Sequence, residues 1–199
     1  MTRLLLVSGS QRRESLNARL LRHLAEPLEG RCDIELLEPQ DVDLPLFNQD
    51  LEADPAVMRR VHSVHQRFQR CHGLIVASPE YNGQLTPYLN NLIDWVSRLA
   101  YIDTRFVNPF IDLPVLLCSA SSGWSGGALA IPQARSLFGY VGCLVIGDTV
   151  CVPNAGQAWT DAGYMFDPFF DEQIQIATER VLRLADDFAR AHPSVGTPP

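Results

Sequence analysis

Three short segments hold most of the residues able to bind or transform a ligand. The first, "LLLVSGSQRRESLN" (4–17), runs from an apolar tetrad into a loop with hydroxyls and two adjacent arginines. A strand-loop-helix built from small and hydroxyl residues makes an anion site, because a helix N-terminus offers free N–H groups and partial positive charge. Ser10 and Ser15 add hydroxyl donors. Arg12 or Arg13 adds a charged fork, each such bond worth about 1.5–3 kcal/mol. The loop carries neither G-x-x-x-x-G-K-[ST] nor G-x-G-x-x-G, and it has no cysteine nucleophile. It is suited to holding a phosphate rather than attacking one. The plainer reading makes Ser15 an N-cap and leaves both arginines solvated.

The second segment is "SPEYNGQLTPYLNNLIDW" (78–95). Pro79, Asn82 and Gly83 are turn residues, and a bland loop would explain them. Glu80 and Tyr81 at a strand end, followed by Gly83, would also let backbone approach a flat ligand edge. The third segment is "SASSGWSGG" (119–127). Such Gly/Ser stretches often serve as flexible connections. Between a buried strand and a helix, bare backbone N–H groups could meet a ring system, and Trp124 could wall a pocket.

The elements that position these segments follow from apolar patterning. Short apolar runs at 4–7, 33–38, 73–78, 114–120 and 143–147 read as strands buried on both faces. Helical spacing fills 15–30, 55–71, 86–100, 126–142 and about 171–192. Pro132 must fall in the first turn of its helix or kink it. The β-α order, five times over, implies an α/β fold with a parallel sheet covered on both faces. Ligands of such folds bind at the carboxyl ends of the strands, where the three segments lie. We read residues 1–192 as one domain and 193–199 as a disordered tail.

Composition limits the chemistry further. The 199 residues include 16 basic and 23 acidic ones, a net charge of −7, which argues against nucleic acid as a partner. All basic residues are arginine, so no lysine is available as Schiff base or general base. The five cysteines (Cys32, Cys71, Cys118, Cys143, Cys151) show no C-x-x-C spacing and read as reduced structural thiols. No metal site is expected, and His62 and His65 read as part of a solvated helix face. No apolar run approaches the ~20 residues of a membrane helix, so a cytoplasmic protein without membrane contact is expected.

G-S-x-R-x-x-S-x-N after the first strand, P-E-Y-N after the third and S-A-S-x-G-x-x-G-G after the fourth together resemble the NADPH-dependent FMN reductase family. "DLPLFNQD" (43–50) is similar to that family's segment after its second strand. The resemblance covers about residues 3–150. It implies a flavodoxin-like, five-stranded parallel sheet ordered 2-1-3-4-5, and the activity of quinone, chromate or azo-dye reductases. Ser10, Arg12, Ser15, Leu16 and Asn17 would then hold the FMN phosphate. Pro79, Glu80, Tyr81, Asn82 and Gly83 would contact the ring and ribityl chain, and Ser119, Ser121 and Gly123 the ring's other edge. One departure is Asn90, where the family usually has lysine.

The family also implies a homodimer or homotetramer. NADPH or NADH would donate hydride to the flavin, and a small-molecule acceptor such as a quinone would take it in a ping-pong cycle. The flavin does the chemistry, so no catalytic side chain is expected. Two other readings stay open at this point. One is a flavodoxin-type electron carrier; the other is a flavin-free phospholigand-binding domain. The aromatic stretch 159–170 (Trp159, Tyr164, Met165, Phe166, Phe169, Phe170) matches no motif and reads equally as substrate lid, partner surface or satellite core.

Overall fold

The computed structural model describes residues 1–103, 105–159 and 167–193. Five strands form one parallel sheet: Arg3–Ser8 (β1), Asp33–Leu37 (β2), Gly73–Ala77 (β3), Pro114–Ala120 (β4) and Leu144–Val152 (β5). Their order is β2-β1-β3-β4-β5. The chain reverses direction across the sheet between β1 and β3, which opens a crevice at their carboxyl ends.

Side-chain alternation along each strand divides the core between two faces. Leu4 and Leu6 of β1 pack with Leu20, Leu21 and Leu24 of α1 (Leu16–Ala25) and with Ile174, Ala177 and Val181 of α5 (Pro168–Ala191). Leu5 and Val7 pack on the other face. Their neighbours are Val64 and Phe68 of α2 (Pro55–Gln69), Leu89 and Leu92 of α3 (Pro87–Ile102), and Ala134 and Phe138 of α4 (Ile131–Val141). Helix starts follow local chemistry. Asp54, Thr86 and Asp167 cap α2, α3 and α5, each followed at once by proline. Pro132 lies in the first turn of α4, where its missing N–H costs no hydrogen bond.

Three expectations need correction. First, β2 and β5 are edge strands, so neither is buried on both faces. Second, β5 runs on to Val152, past the expected end at 147. Its register jumps from Val115↔Val145 to Leu117↔Thr149, a bulge that interrupts the apolar run at Gly147 and Asp148. The Arg135 guanidinium donates to the carbonyls of Ile146 and Gly147 at 2.8 Å each, which satisfies the irregular stretch.

Third, His62 and His65 are not on a solvated face. His65 is fully buried, with its ring edge-on to Phe106, and His62 stacks on the same Phe106 at 4.9 Å. Phe106 covers this side of α2 from a loop about forty residues away in sequence, which no helical periodicity reveals. Residues 194–199 of the expected tail, and Tyr164, Met165 and Phe166, lie outside the described residues. Trp159 is buried in the core shared by α1 and α5, Phe170 packs against that core, and Phe169 is exposed.

All five cysteines are free, and burial pushes each thiol up from its ordinary value. No helix among the described residues is long and apolar enough to cross a membrane.

The burial of His65 has a pH consequence. Neither ring nitrogen has a partner in good hydrogen-bond geometry. Desolvation lowers its pKa from 6.5 to about 4, and nearby polar groups of Val107 and Gln69 offset only part of that. The unfolded chain therefore binds a proton at this residue that the folded chain refuses. The contribution is fully present above pH 6.5 and is lost as pH falls toward 4. Chemical denaturation between pH 7 and 4 should show wild type losing stability faster than His65→Leu. Parallel curves for the two proteins would refute this.

Candidate functional site

The three segments come together at the carboxyl edge of the sheet. Ser15 caps α1, its hydroxyl oxygen accepting from the Ala18 N–H at 3.2 Å. Ser10 accepts from the Arg12 N–H at 3.3 Å. Both serines are buried, at 3% and 6% exposure for Ser10 and Ser15 respectively. Neither hydroxyl donates to a described protein group, so both protons remain for a ligand. The N–H groups of Leu16 and Asn17, first and second in the helix, have no intrahelical acceptor. Arg12 and Arg13 are exposed, and neither guanidinium forms an ion pair among the described residues. Hydroxyl donors, free helix N–H groups and unpaired guanidinium groups make a donor set that fits a phosphate dianion.

Asn17 has a structural part as well. Its amide nitrogen donates to the Ala120 carbonyl at 2.8 Å, and its amide oxygen accepts from the Ala120 N–H at 2.9 Å. The side chain joins the first loop to the end of β4. Its second amide N–H and its backbone N–H remain as donors.

The second loop is a tight hairpin. Tyr81 and Gln84 exchange both backbone hydrogen bonds at 3.0 Å. Between them Asn82 and Gly83 have φ of 54° and 73°, the pair of positive values that a two-residue type I′ turn demands. Asn82 and Gly83 therefore first serve the turn, which aims Tyr81 outward at 46% exposure. Pro79 and Glu80 are half-buried. The Glu80 carboxylate accepts from the Leu129 N–H at 3.1 Å, tying the second loop to the turn that leads into α4.

In the third loop Ser121 forms a local turn, its hydroxyl oxygen accepting from the Gly123 N–H at 3.0 Å. Ser121 is half-buried and Gly123 exposed, so both reach the surface. Ser119 does not. It is 1% exposed, its hydroxyl has no partner, and it lies directly beneath Gly127. A Cβ at Gly127 would fall 1.8 Å from the Ser119 oxygen, and Gly127 has φ of 84°. Only glycine fits there. Ser119 supports the loop from below. Trp124 is 83% exposed.

Several residues that hold the loops together went unread in the sequence. Thr86, the cap of α3, donates to the Gly9 carbonyl at 2.7 Å and is buried. Gly9 packs so tightly on Ser78 that a Cβ would lie 2.4 Å from the Ser78 oxygen. Gln133 of α4 donates to the Gly83 carbonyl at 2.9 Å and accepts from the Leu85 N–H at 3.3 Å. Thr-Pro at a helix start signals a cap, but nothing local signals a partner 77 residues away. Asn90, the departure from the family pattern, donates to the Thr86 carbonyl of its own helix at 3.1 Å. Among the described residues, no group of three or more His, Cys, Asp or Glu could hold a metal ion.

The NADPH-dependent FMN reductase family matches residues 2–157, and the chain belongs to that family. The chain is 28% identical over 138 residues to a quinone reductase of Escherichia coli strain K12, covering 69% of this chain and 70% of that protein. It is 29% identical over 173 residues to an NAD(P)H-dependent FMN reductase of Pseudomonas aeruginosa, covering 85% and 87%. Among solved structures, the flavoenzyme NAD(P)H:(acceptor) oxidoreductase FerB of Paracoccus denitrificans superposes with a TM-score of 0.81 at 24% identity, over 94% of this chain and 99% of that one. The fold is flavodoxin-like. The protein is an oxidoreductase whose cofactor is FMN and whose electron donor is NAD(P)H.

Two pairs of substitutions separate the expected phosphate contacts from loop architecture. Arg12→Ala should weaken FMN binding about tenfold to a hundredfold, the value of one charge-assisted contact of roughly 1.5–3 kcal/mol. Riboflavin, which has no phosphate, should bind almost as before, and Arg13→Ala should have the smaller effect. Equal FMN affinity in Arg12→Ala and wild type, by fluorescence titration, would sink the assignment. Gly127→Ala should lower the melting temperature even without flavin, whereas Gly123→Ala should not, because a Cβ there meets only the Ser121 oxygen at 3.5 Å.

Proposed function

We propose that the three loops hold a single FMN and that the protein is a quinone-reductase-type enzyme working by a ping-pong cycle. The observation that carries this reading is the donor set at the start of α1, joined through Asn17 to the third loop. Ser10, Ser15, Arg12 and the N–H groups of Leu16 and Asn17 bind the phosphate. Pro79, Glu80, Tyr81, Asn82 and Gly83 border the ring and ribityl chain on one side, through backbone more than side chain. Ser121 and Gly123 border it on the other, with Ser119 supporting from below.

When bound, FMN supplies the hydride-accepting and hydride-donating centre. The chain's work is to orient and to exclude. The net reaction converts NAD(P)H, a proton and a quinone into NAD(P)+ and a hydroquinone. Two electrons and one proton come from NAD(P)H as hydride, and the second proton comes from solvent. No side chain is required as acid or base, and Glu80 is occupied by the Leu129 N–H. The relatives named above, a quinone reductase and an NAD(P)H-dependent FMN reductase, support a small organic acceptor. We place the protein in the cytoplasm, as one domain over residues 1–192, in a homodimer or homotetramer.

If donor and acceptor use the same open side of the site in turn, double-reciprocal plots with NADPH and a quinone should be parallel. Intersecting lines would mean that both are bound together and would refute the shared site. Anaerobic NADPH should bleach the bound flavin with no second protein present. A flavin that stays yellow under those conditions would mark an electron carrier instead.

A further inference from the structure

The mouth of the site carries exposed apolar side chains that holding FMN does not explain. Trp124 is 83% exposed, Leu129 55% and Tyr81 46%. A lone exposed apolar residue is ordinary on a protein surface. Two of them are joined by the chain itself, and the third lies beside a proposed flavin contact. The Glu80 carboxylate holds the Leu129 N–H at 3.1 Å, so Leu129 adjoins the Glu80–Tyr81 segment. Trp124 follows Gly123 directly, in a loop otherwise made of serine and glycine.

That loop is not slack. The Gly123 carbonyl accepts from the Asn154 N–H at 3.1 Å and from the Gly126 N–H at 3.4 Å. Its N–H donates to Ser121, and the Gly127 N–H donates to Ser125 at 3.2 Å. The backbone on both sides of Trp124 is therefore fixed, while among the described residues nothing covers the indole. Apolar groups on a polar rim mark binding surfaces. Tryptophan offers a large flat contact area, favourable to aromatic partners in offset or edge-on geometry.

We propose that Trp124, with Tyr81 and Leu129 on the same rim, selects the electron acceptor, favouring planar aromatic acceptors of the quinone class over small hydrophilic ones. This rests on the oxidoreductase reading above and adds the residue that sets its specificity. The occupant is a small planar molecule because Trp124 directly follows Gly123, which the proposed function sets against the flavin ring.

The test compares wild type, Trp124→Ala and Trp124→Phe, using NADPH with menadione or with ferricyanide as acceptor. Trp124→Ala should raise the KM for menadione about tenfold and leave the KM for ferricyanide unchanged, and Trp124→Phe should restore most of the menadione KM. A second readout needs no turnover. Trp95 is fully buried and Trp159 is 7% exposed, so menadione added to the oxidised protein should quench mainly Trp124 emission. That saturable quenching should vanish in Trp124→Phe. An unchanged menadione KM in Trp124→Ala overturns the proposal. So does an equal rise for both acceptors, or a change of oligomeric state showing that a second copy covers the indole. Wild-type inactivity with both acceptors would defeat the oxidoreductase reading instead, and the fluorescence titration would then decide the proposal by itself.

Discussion

The buried pair of hydrogen bonds between the Asn17 side chain and the Ala120 backbone, at 2.8 and 2.9 Å, is the constraint on which the site depends. β1 and β4 are not neighbours in the sheet, so no ladder can align the loops that follow them. One amide aligns them instead. It satisfies both the N–H and the C=O of the last residue of β4, groups that would otherwise be buried without partners at a cost of about 1–3 kcal/mol each. Because Asn17 is the second residue of α1, the same contact fixes where that helix points its free N–H groups.

The other two joints repeat this logic with different chemistry. Between the first and second loops the joint is steric and polar, with Gly9 against Ser78 and the Thr86 hydroxyl on the Gly9 carbonyl. Between the second and third it is carried by Glu80 on the Leu129 N–H and by Gln133 on the Asn82–Gly83 turn. Each joint uses side chains to satisfy loop backbone, so the loops are ordered before any ligand arrives. A preordered site spends less of its binding energy on immobilising loops. It also leaves the side chains of Tyr81 and Trp124 exposed, at 46% and 83%, while their backbone is held by the loops.

The flanks of the sheet show how a parallel fold ends. Along β5 a bulge breaks the ladder, and Arg135 donates to the carbonyls that the bulge exposes. The charge also makes that edge a poor template for another strand. On the far side, His62 and His65 pack on Phe106 beneath a loop, where burial has removed His65 from its ordinary titration range.

By itself the sequence determined the alternation of strands and helices, the places of the loops and the type of ligand they suit. Those properties are local. Apolar runs make strands, 3.6-residue spacing makes helices, Pro at Pro55, Pro87 and Pro132 starts them, and hydroxyls before a helix make an anion site. The family motifs, which are short and contiguous, were legible for the same reason. Tertiary structure alone decided which of those residues face the crevice. Ser119 looks like a ring contact in sequence, yet Gly127 folds over it. Asn17 looks like a loop residue free for a ligand, yet Ala120, 103 residues on, also engages its amide. His65 looks solvated until Phe106 covers it. In each case the deciding partner is distant along the chain and comes into contact only through packing, and no local pattern encodes such a partner.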